Sequence, residues 1–247
     1  MALAPLAAEL KVLLALLRGQ PSRGSHAERL EAFYAPQAGR YDAFRERLLH
    51  GRGELIADLI AARAVPPGAH LVELGAGTGR NLLFFGERLA ALGQVDAVDL
   101  CPALVGEARR RTEAMPNVQV HEADACRWRP EAPVDAVYLA YALTMIPDWE
   151  AAIDNAIAML KPGGHLGVVD FYVSAPEPAP GLVRHSALAR AFWPRWFRHD
   201  GVHLDARRLA DLREHLPAHQ LTEALAPVPY LPGLRVPYYR FIGRKDG

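Results

Sequence analysis

Three glycines, at 75, 77 and 79, follow a short apolar run in Leu71-Val-Glu-Leu-Gly-Ala-Gly-Thr-Gly79. Lacking a Cβ, glycine lets the chain turn tightly between a strand and a helix and lets a ligand lie against the backbone. The spacing is G-x-G-x-G, not the G-x-G-x-x-G that leaves a helix N-terminus open to a pyrophosphate. Glu73, just ahead of the glycines, would repel a diphosphate but could accept hydrogen bonds from a cationic ligand bearing an amino acid, the profile of S-adenosylmethionine. Asp99 follows where the ribose-binding acid of a βαβ unit is expected. Asp124, in Glu122-Ala-Asp-Ala125, can accept from an adenine amino group while neighbouring backbone amides meet the ring. The predicted cofactor-binding set is therefore Glu73, Gly75, Ala76, Gly77, Gly79, Asp99, Leu100, Asp124, Ala125 and Tyr141. The competing reading makes Asp99 and Asp124 plain strand-end caps.

Methyl transfer from a sulfonium to an amine is an in-line displacement with a neutral leaving group, so positioning supplies much of the rate. The site must keep the acceptor nitrogen unprotonated and stabilise cationic character, which aromatic faces and carboxylates can do. Tyr141, Tyr41 and Tyr34 are the catalytic candidates, Tyr141 first, and each has the alternative of a core tyrosine whose hydroxyl is tied to backbone. Phe192, Trp193, Trp196 and Phe197 are either an apolar wall for lipid chains or a core stripe. No metal site is predicted: the histidines form no H-E-x-x-H pair, and Cys101 and Cys126 have no ligand spacing. Arg109-Arg-Arg111 reads as a solvated helix face.

These residues need a scaffold, and the sequence from 70 to 173 alternates short apolar runs with helical patterns, the signature of a parallel α/β sheet. Strands are predicted over 70–75, 94–100, 118–124, 134–143 and 165–172, with helices starting near Gly79, Pro102 and Asp148. A helical insertion over 181–219 and a terminal hairpin from 220–228 and 238–245 complete a Rossmann-like, seven-strand doubly wound sheet. Residues 1–66 form a helical segment and lid ahead of the domain at 67–247. Leucines at 6, 10, 13, 14 and 17 recur at helical spacing, predicting an amphipathic helix that packs on the domain or lies on a bilayer.

The composition, 51% hydrophobic and 23% charged, excludes a disordered chain. Lys plus Arg equals Asp plus Glu at 28 each, so no global field draws the protein to nucleic acid. Two cysteines make no disulfide framework, which predicts a cytoplasmic protein, and no spanning helix is expected.

The glycine loop, the acid after the second strand and the turn Leu160-Lys-Pro-Gly-Gly164 resemble the class I methyltransferase superfamily. The flanks Tyr41-Asp-Ala-Phe-Arg-Glu-Arg-Leu-Leu-His-Gly-Arg52, Phe192-Trp-Pro-Arg-Trp-Phe197 with Asp200, and Val228-Pro-Tyr-Leu-Pro-Gly-Leu-Arg-Val-Pro-Tyr-Tyr-Arg-Phe-Ile-Gly-Arg-Lys245 are together similar to the betaine-lipid synthase methyltransferases. That resemblance implies S-adenosylmethionine as methyl donor and a lipid substrate at the membrane surface, with peripheral attachment. The lipid is diacylglycerylhomoserine, methylated three times to diacylglyceryl-trimethylhomoserine. Arg235 is then a candidate partner for the homoserine carboxylate. Glu122-Ala-Asp departs from the Gly-Asp more common in the superfamily, which bears on the adenine contact. The alternatives are methylation of a small soluble amine, a 3-amino-3-carboxypropyl transfer, or a cofactor-binding scaffold for a separate catalytic subunit.

Overall fold

A computed structural model describes residues 23–35, 42, 46–229, 231 and 233–247. The leucine-rich pattern over 6–17 and Tyr41 lie outside them. Seven strands, β1 (His70–Leu74), β2 (Gln94–Asp99), β3 (Val118–Glu122), β4 (Val134–Ala140), β5 (Leu160–Phe171), β6 (His219–Pro227) and β7 (Arg235–Arg244), form one sheet in the order β3-β2-β1-β4-β5-β7-β6. The pairs among β1 to β5 are parallel, and β7 lies antiparallel between β5 and β6. This is the doubly wound sheet the sequence predicts. The strand order reverses between β1 and β4, so the loops leaving those strands part and open a crevice at their carboxyl ends.

Burial follows from position in the sheet. β4, at the centre, is apolar at nearly every position and buried along almost its whole length, as a strand covered on both faces must be. β3, at the edge, is mostly half-exposed and carries Gln119, His121 and Glu122. Among the described residues six α-helices accompany the sheet: α1 (His26–Tyr34), α2 (Arg52–Ala61), α3 (Pro102–Thr112), α4 (Trp149–Met159), α5 (Ala187–Arg198) and α6 (Arg207–His215). Ser25 and Glu28 close a capping box at the start of α1, Pro102 occupies the first turn of α3, and the Asp148 side chain caps α4.

Three local readings are corrected. The segment after the glycine loop, Arg80–Ala91, is 3-10 rather than α, and Gly86 (φ 56°, ψ −137°) kinks it into two short runs. β5 begins at Leu160 and absorbs the Leu160-Lys-Pro-Gly-Gly164 turn, with a register shift against β4 between Val134 and Ala136. β7 begins at Arg235 and contains Pro237. The ladder to β5 ends at the Phe171–Tyr238 pair, so the missing proline N–H falls beyond it, while the Pro237 carbonyl accepts from the Tyr172 N–H at 3.2 Å.

Apolar layers cover both faces of the sheet. One joins Leu55 and Leu59 of α2 to Leu71, Val95 and Tyr138 and reaches Trp193 and Phe197 of α5. The other sets Ile153 of α4 and Leu209 and Leu212 of α6 against Val72, Val98 and Leu139. Two glycines test how tightly this scaffold is built. A Cβ at Gly93 would lie 2.6 Å from the Gly68 carbonyl oxygen, whereas one at Gly106, inside α3, would meet nothing within 4 Å. Gly93→Ala should therefore cost about 2 kcal/mol by overpacking. Gly106→Ala should add about 0.5–1 kcal/mol through helix propensity, both read as urea midpoints.

Candidate active site

The crevice at the carboxyl ends of β1, β2, β3 and β4 holds a cavity of about 330 Å³. Of the predicted set, Gly75, Ala76, Gly77, Asp99, Leu100, Asp124, Ala125 and Tyr141 line it together, from four separate stretches of chain. Glu73 and Gly79 do not line it.

Asp99 organises the crevice. Its Oδ2 accepts from the Gly77 N–H at 2.7 Å and its Oδ1 from the Cys101 N–H at 2.9 Å, so one carboxylate joins the glycine loop to the start of α3. Burial pushes its pKa up, against the pull of the backbone N–H groups of Cys101, Gly77 and Leu100. Each oxygen retains a second acceptor position, and these can serve a diol. Gly75 and Gly77 both have positive φ, 75° and 56°. At Gly75 a Cβ would lie 2.5 Å from the Ala142 Cβ, so only glycine lets the β1 and β4 loops close together; at Gly77 it would meet nothing, because the residue faces open space. Asp124 turns its own loop by accepting from the Cys126 N–H at 2.9 Å.

Glu73 lies beneath the loop, fully buried. Its Oε1 accepts from Asn81 Nδ2 at 2.7 Å, and Asn81 Oδ1 accepts in turn from Arg52 at 3.0 Å. Glu73 Oε2 and the neighbouring Tyr138 hydroxyl are both buried without a hydrogen-bond partner in ideal geometry, and a proton on the carboxyl satisfies both. Burial pushes the Glu73 pKa up to about 7, with Asn81 and Tyr138 opposing. Glu73 thus lies beneath the loop and outside the cavity lining.

The segment ahead of the sheet closes over the cavity, with His26, Leu30, Tyr34, Asp42 and Arg52 all in its lining. Asp42 accepts from the Thr78 hydroxyl at 2.7 Å and pairs with Arg111, which also donates to Thr78. Arg111 is therefore no solvated residue: it binds the lid and the glycine loop to α3. Glu31 of α1 accepts from the Ala103 N–H at 3.0 Å, satisfying an open donor in the first turn of α3. His26 carries a buried Nδ1 without a hydrogen-bond partner, and burial lowers its pKa, with Arg29 adding and Asp124 opposing.

Of the tyrosine candidates, Tyr34 is buried in α1 and Tyr141 is nearly so at the end of β4. The Tyr141 hydroxyl donates to the His50 carbonyl at 2.5 Å, and burial, with Asp170 nearby, raises its pKa well above 10. A phenol so held is no proton acceptor at neutral pH, so what it offers the cavity is its ring. Its φ of 57° is unusual for a non-glycine residue and turns the chain sharply out of β4. Arg235 is not in the lining of this cavity and is exposed at the start of β7. His26, Asp42, Arg52 and Asn81 escaped the sequence reading. Asn81, two residues past the last glycine of the loop, had a positional signal, whereas the other three are brought in only by the closure of the lid. Among the described residues no group of His, Cys, Asp and Glu could hold a metal, and no helix is long and apolar enough to cross a membrane.

Two outcomes follow. From about pH 4.5 to 7 the folded state holds a Glu73 proton that the unfolded chain releases, so this residue's contribution to stability falls as pH rises through that window. Glu73→Gln cannot ionise and should flatten that dependence, ending about 3 kcal/mol more stable than the parent near pH 8 in denaturant titrations. Asp42→Ala leaves Arg111 unpaired beneath the lid and should raise protease sensitivity around residue 42 and weaken ligand binding about tenfold.

A family model described as a methyltransferase domain matches residues 71–164, from β1 through the glycine turn of β5. The trans-aconitate 2-methyltransferase of Klebsiella pneumoniae (strain 342) is 34% identical over 133 residues, 53% of this chain and 50% of that one; the chain spans about half the length of the curated relatives it matches. Among solved structures, the N-methyltransferase NodS of Bradyrhizobium japonicum WM9 with S-adenosylhomocysteine superposes with a TM-score of 0.64 at 18% identity, covering 91% of this chain and 100% of that one. The Haemonchus contortus phosphoethanolamine N-methyltransferase 2, bound to phosphomonomethylethanolamine and S-adenosylhomocysteine, gives 0.69 at 14% identity over 91% of this chain and 61% of that one. Residues 71–164 thus match a methyltransferase-domain model, and they lie within a seven-strand sheet whose fold is that of the N-methyltransferase NodS.

Proposed function

We propose that the protein is an S-adenosylmethionine-dependent N-methyltransferase whose acceptor is the amino group of diacylglycerylhomoserine, methylated to the trimethylated betaine lipid. One observation carries the cofactor assignment: Gly77, Asp99 and Asp124, from the ends of three successive strands, meet in one lidded cavity. The residues suit the cofactor. The cavity lies within the roughly 300–1,000 Å³ of small-molecule sites. Gly77 leaves open space above the loop, Asp99 offers acceptor positions for ribose hydroxyls, and Arg52 brings a guanidinium for the methionine carboxylate. Asp124 and the His26 imidazole border the end where a purine edge would be recognised.

When bound, the cofactor supplies an electrophilic methyl group on a sulfonium. The chain's own contribution is placement. Asp99 and the glycine loop fix one end of the crevice, the lid excludes water through Asp42 and Arg111, and the Tyr141 and Tyr34 rings give apolar, electron-rich walls suited to a cationic centre. The lipid acceptor is supported by the flanking motifs quoted above; Phe171 and Phe197, stacked on one another behind Tyr141, are buried core rings and add no lipid surface.

A second reading is favoured by the curated relatives, which are named for trans-aconitate. Arg52 and Arg80 in the cavity lining would suit a small polycarboxylate accepting a methyl on a carboxylate oxygen. Purified protein offered S-adenosylmethionine with diacylglycerylhomoserine in mixed micelles should add one to three methyls to the lipid and release S-adenosylhomocysteine. Turnover of trans-aconitate alone would transfer the assignment to the second reading, methylthioadenosine as by-product would refute methylation, and absence of turnover with cofactor bound would leave a scaffold. Asp99→Asn should weaken S-adenosylhomocysteine binding about tenfold to a hundredfold by titration calorimetry, and unchanged affinity would remove Asp99 from the cofactor site.

A further inference from the structure

Helix α5 is apolar on two sides. Trp193 and Phe197 face inward, with Phe197 stacked on Phe171. Leu188, Phe192 and Trp196 recur four residues apart and so form a second stripe. Its two ends are open to solvent among the described residues, Leu188 at 79% exposed and Trp196 at 45%, while Phe192 between them is half-buried against the core and stacks on Trp196 at 5.8 Å. Val183, just upstream, is 49% exposed. Isolated surface hydrophobes are ordinary, but a leucine, a phenylalanine and a tryptophan aligned on one helix face are not.

The stripe's own segment carries charge of one sign, although Glu223 of β6 accepts from the Val183 N–H at 3.0 Å at its upstream end. From 181 to 199 there are four arginines, Arg184, Arg190, Arg195 and Arg198, and no aspartate or glutamate, in a chain whose formal net charge is zero. Among the described residues none of the four forms an ion pair with a carboxylate, unlike Arg80, Arg110, Arg111, Arg207 and Arg240. An apolar stripe with tryptophan and phenylalanine, edged by unneutralised arginines, suits the boundary of an anionic bilayer: the rings and leucine enter the acyl margin and the guanidinium groups meet phosphates. A water-soluble protein partner would not demand this single sign of charge.

The stripe is also joined to the site. From Tyr141 in the cavity lining, ring follows ring through Phe171, Phe197, Trp193 and Phe192 to Trp196, with centroid separations of 4.5, 4.7, 5.8, 4.9 and 5.8 Å. We propose that the outer face of α5, Leu188, Phe192 and Trp196 with the flanking arginines, seats the protein on an anionic membrane surface and brings the cavity to a lipid lying in that membrane. The inference rests on the lipid-acceptor reading for its purpose, while the surface itself can be tested without any turnover.

The test is co-sedimentation of the full chain with vesicles of phosphatidylcholine alone or mixed with phosphatidylglycerol. The parent should bind the anionic vesicles, release in high salt, and show a blue-shifted tryptophan emission when bound. Leu188→Asp with Trp196→Asp changes only exposed positions; the fold, followed by circular dichroism, should persist while vesicle partitioning falls at least about tenfold. Arg184→Gln with Arg195→Gln should remove the preference for anionic over neutral vesicles. Failure of the parent to bind, or equal binding by the aspartate variant, overturns the proposal. So does a dimer in solution that this variant dissolves, since the stripe would then belong to a second copy. A parallel assay with the acceptor in detergent micelles separates the two ideas: turnover there without vesicle binding refutes the docking face alone, and vesicle binding without lipid turnover refutes the acceptor alone.

Discussion

A half-buried carboxylate at the end of β2 sets the geometry on which the site depends. Asp99 holds the Gly77 and Cys101 backbone N–H groups at once, so the turn after β1 and the first turn of α3 share a single acceptor. Two consequences follow from that sharing. The glycine loop is pinned open with Gly77 facing the cavity, and α3 is oriented so that its first turn can receive the lid through Glu31 and its last turn can reach the loop through Arg111. The charge is tolerated in a half-buried place because oriented backbone donors replace water around it.

The lid and the sheet are coupled by polar bonds more than by a continuous apolar interface. Asp42, Thr78 and Arg111 make a three-residue junction between segments far apart in sequence, and α1 adds only Leu30, Phe33 and Tyr34 to a small separate cluster with Cys101 and Leu104. Together these contacts place the described residues of this segment against the cavity. Beneath it, Arg52 and Asn81 reach from the cavity lining to the buried Glu73 through a chain of hydrogen bonds.

The sheet was legible because its signals are local. Apolar runs of β1, β2 and β4 between turn residues define strands, and glycines 75, 77 and 79 mark a strand turning into the next element. Asp99 and Asp124 were legible for the same reason, since they end strands whose limits the pattern already sets. Glu73 was assigned to the ligand from its place beside the glycines, but strand alternation turns it under the loop, toward Tyr138 and away from the cavity. The 3-10 character of Arg80–Ala91 rests on one glycine dihedral at Gly86 that composition does not reveal. The contributions of His26, Asp42 and Arg52 depend on how a segment of the N-terminal half folds back across the sheet, a long-range contact with no periodic trace in the sequence. Tyr141 occupies the expected place, yet its hydroxyl is held by the His50 carbonyl, a partner 91 residues away that no motif names.

The account stands on the claim that S-adenosylmethionine occupies the crevice between the β1 and β4 loops beneath the lid. The most direct measurement is hydrogen exchange of the backbone amides, read by mass spectrometry with and without S-adenosylhomocysteine. Protection concentrated at the glycine loop, at the residues after β2 and β3, and in α1 is the predicted result. Protection confined elsewhere, such as β6 and β7, or no change at saturating ligand, would contradict it.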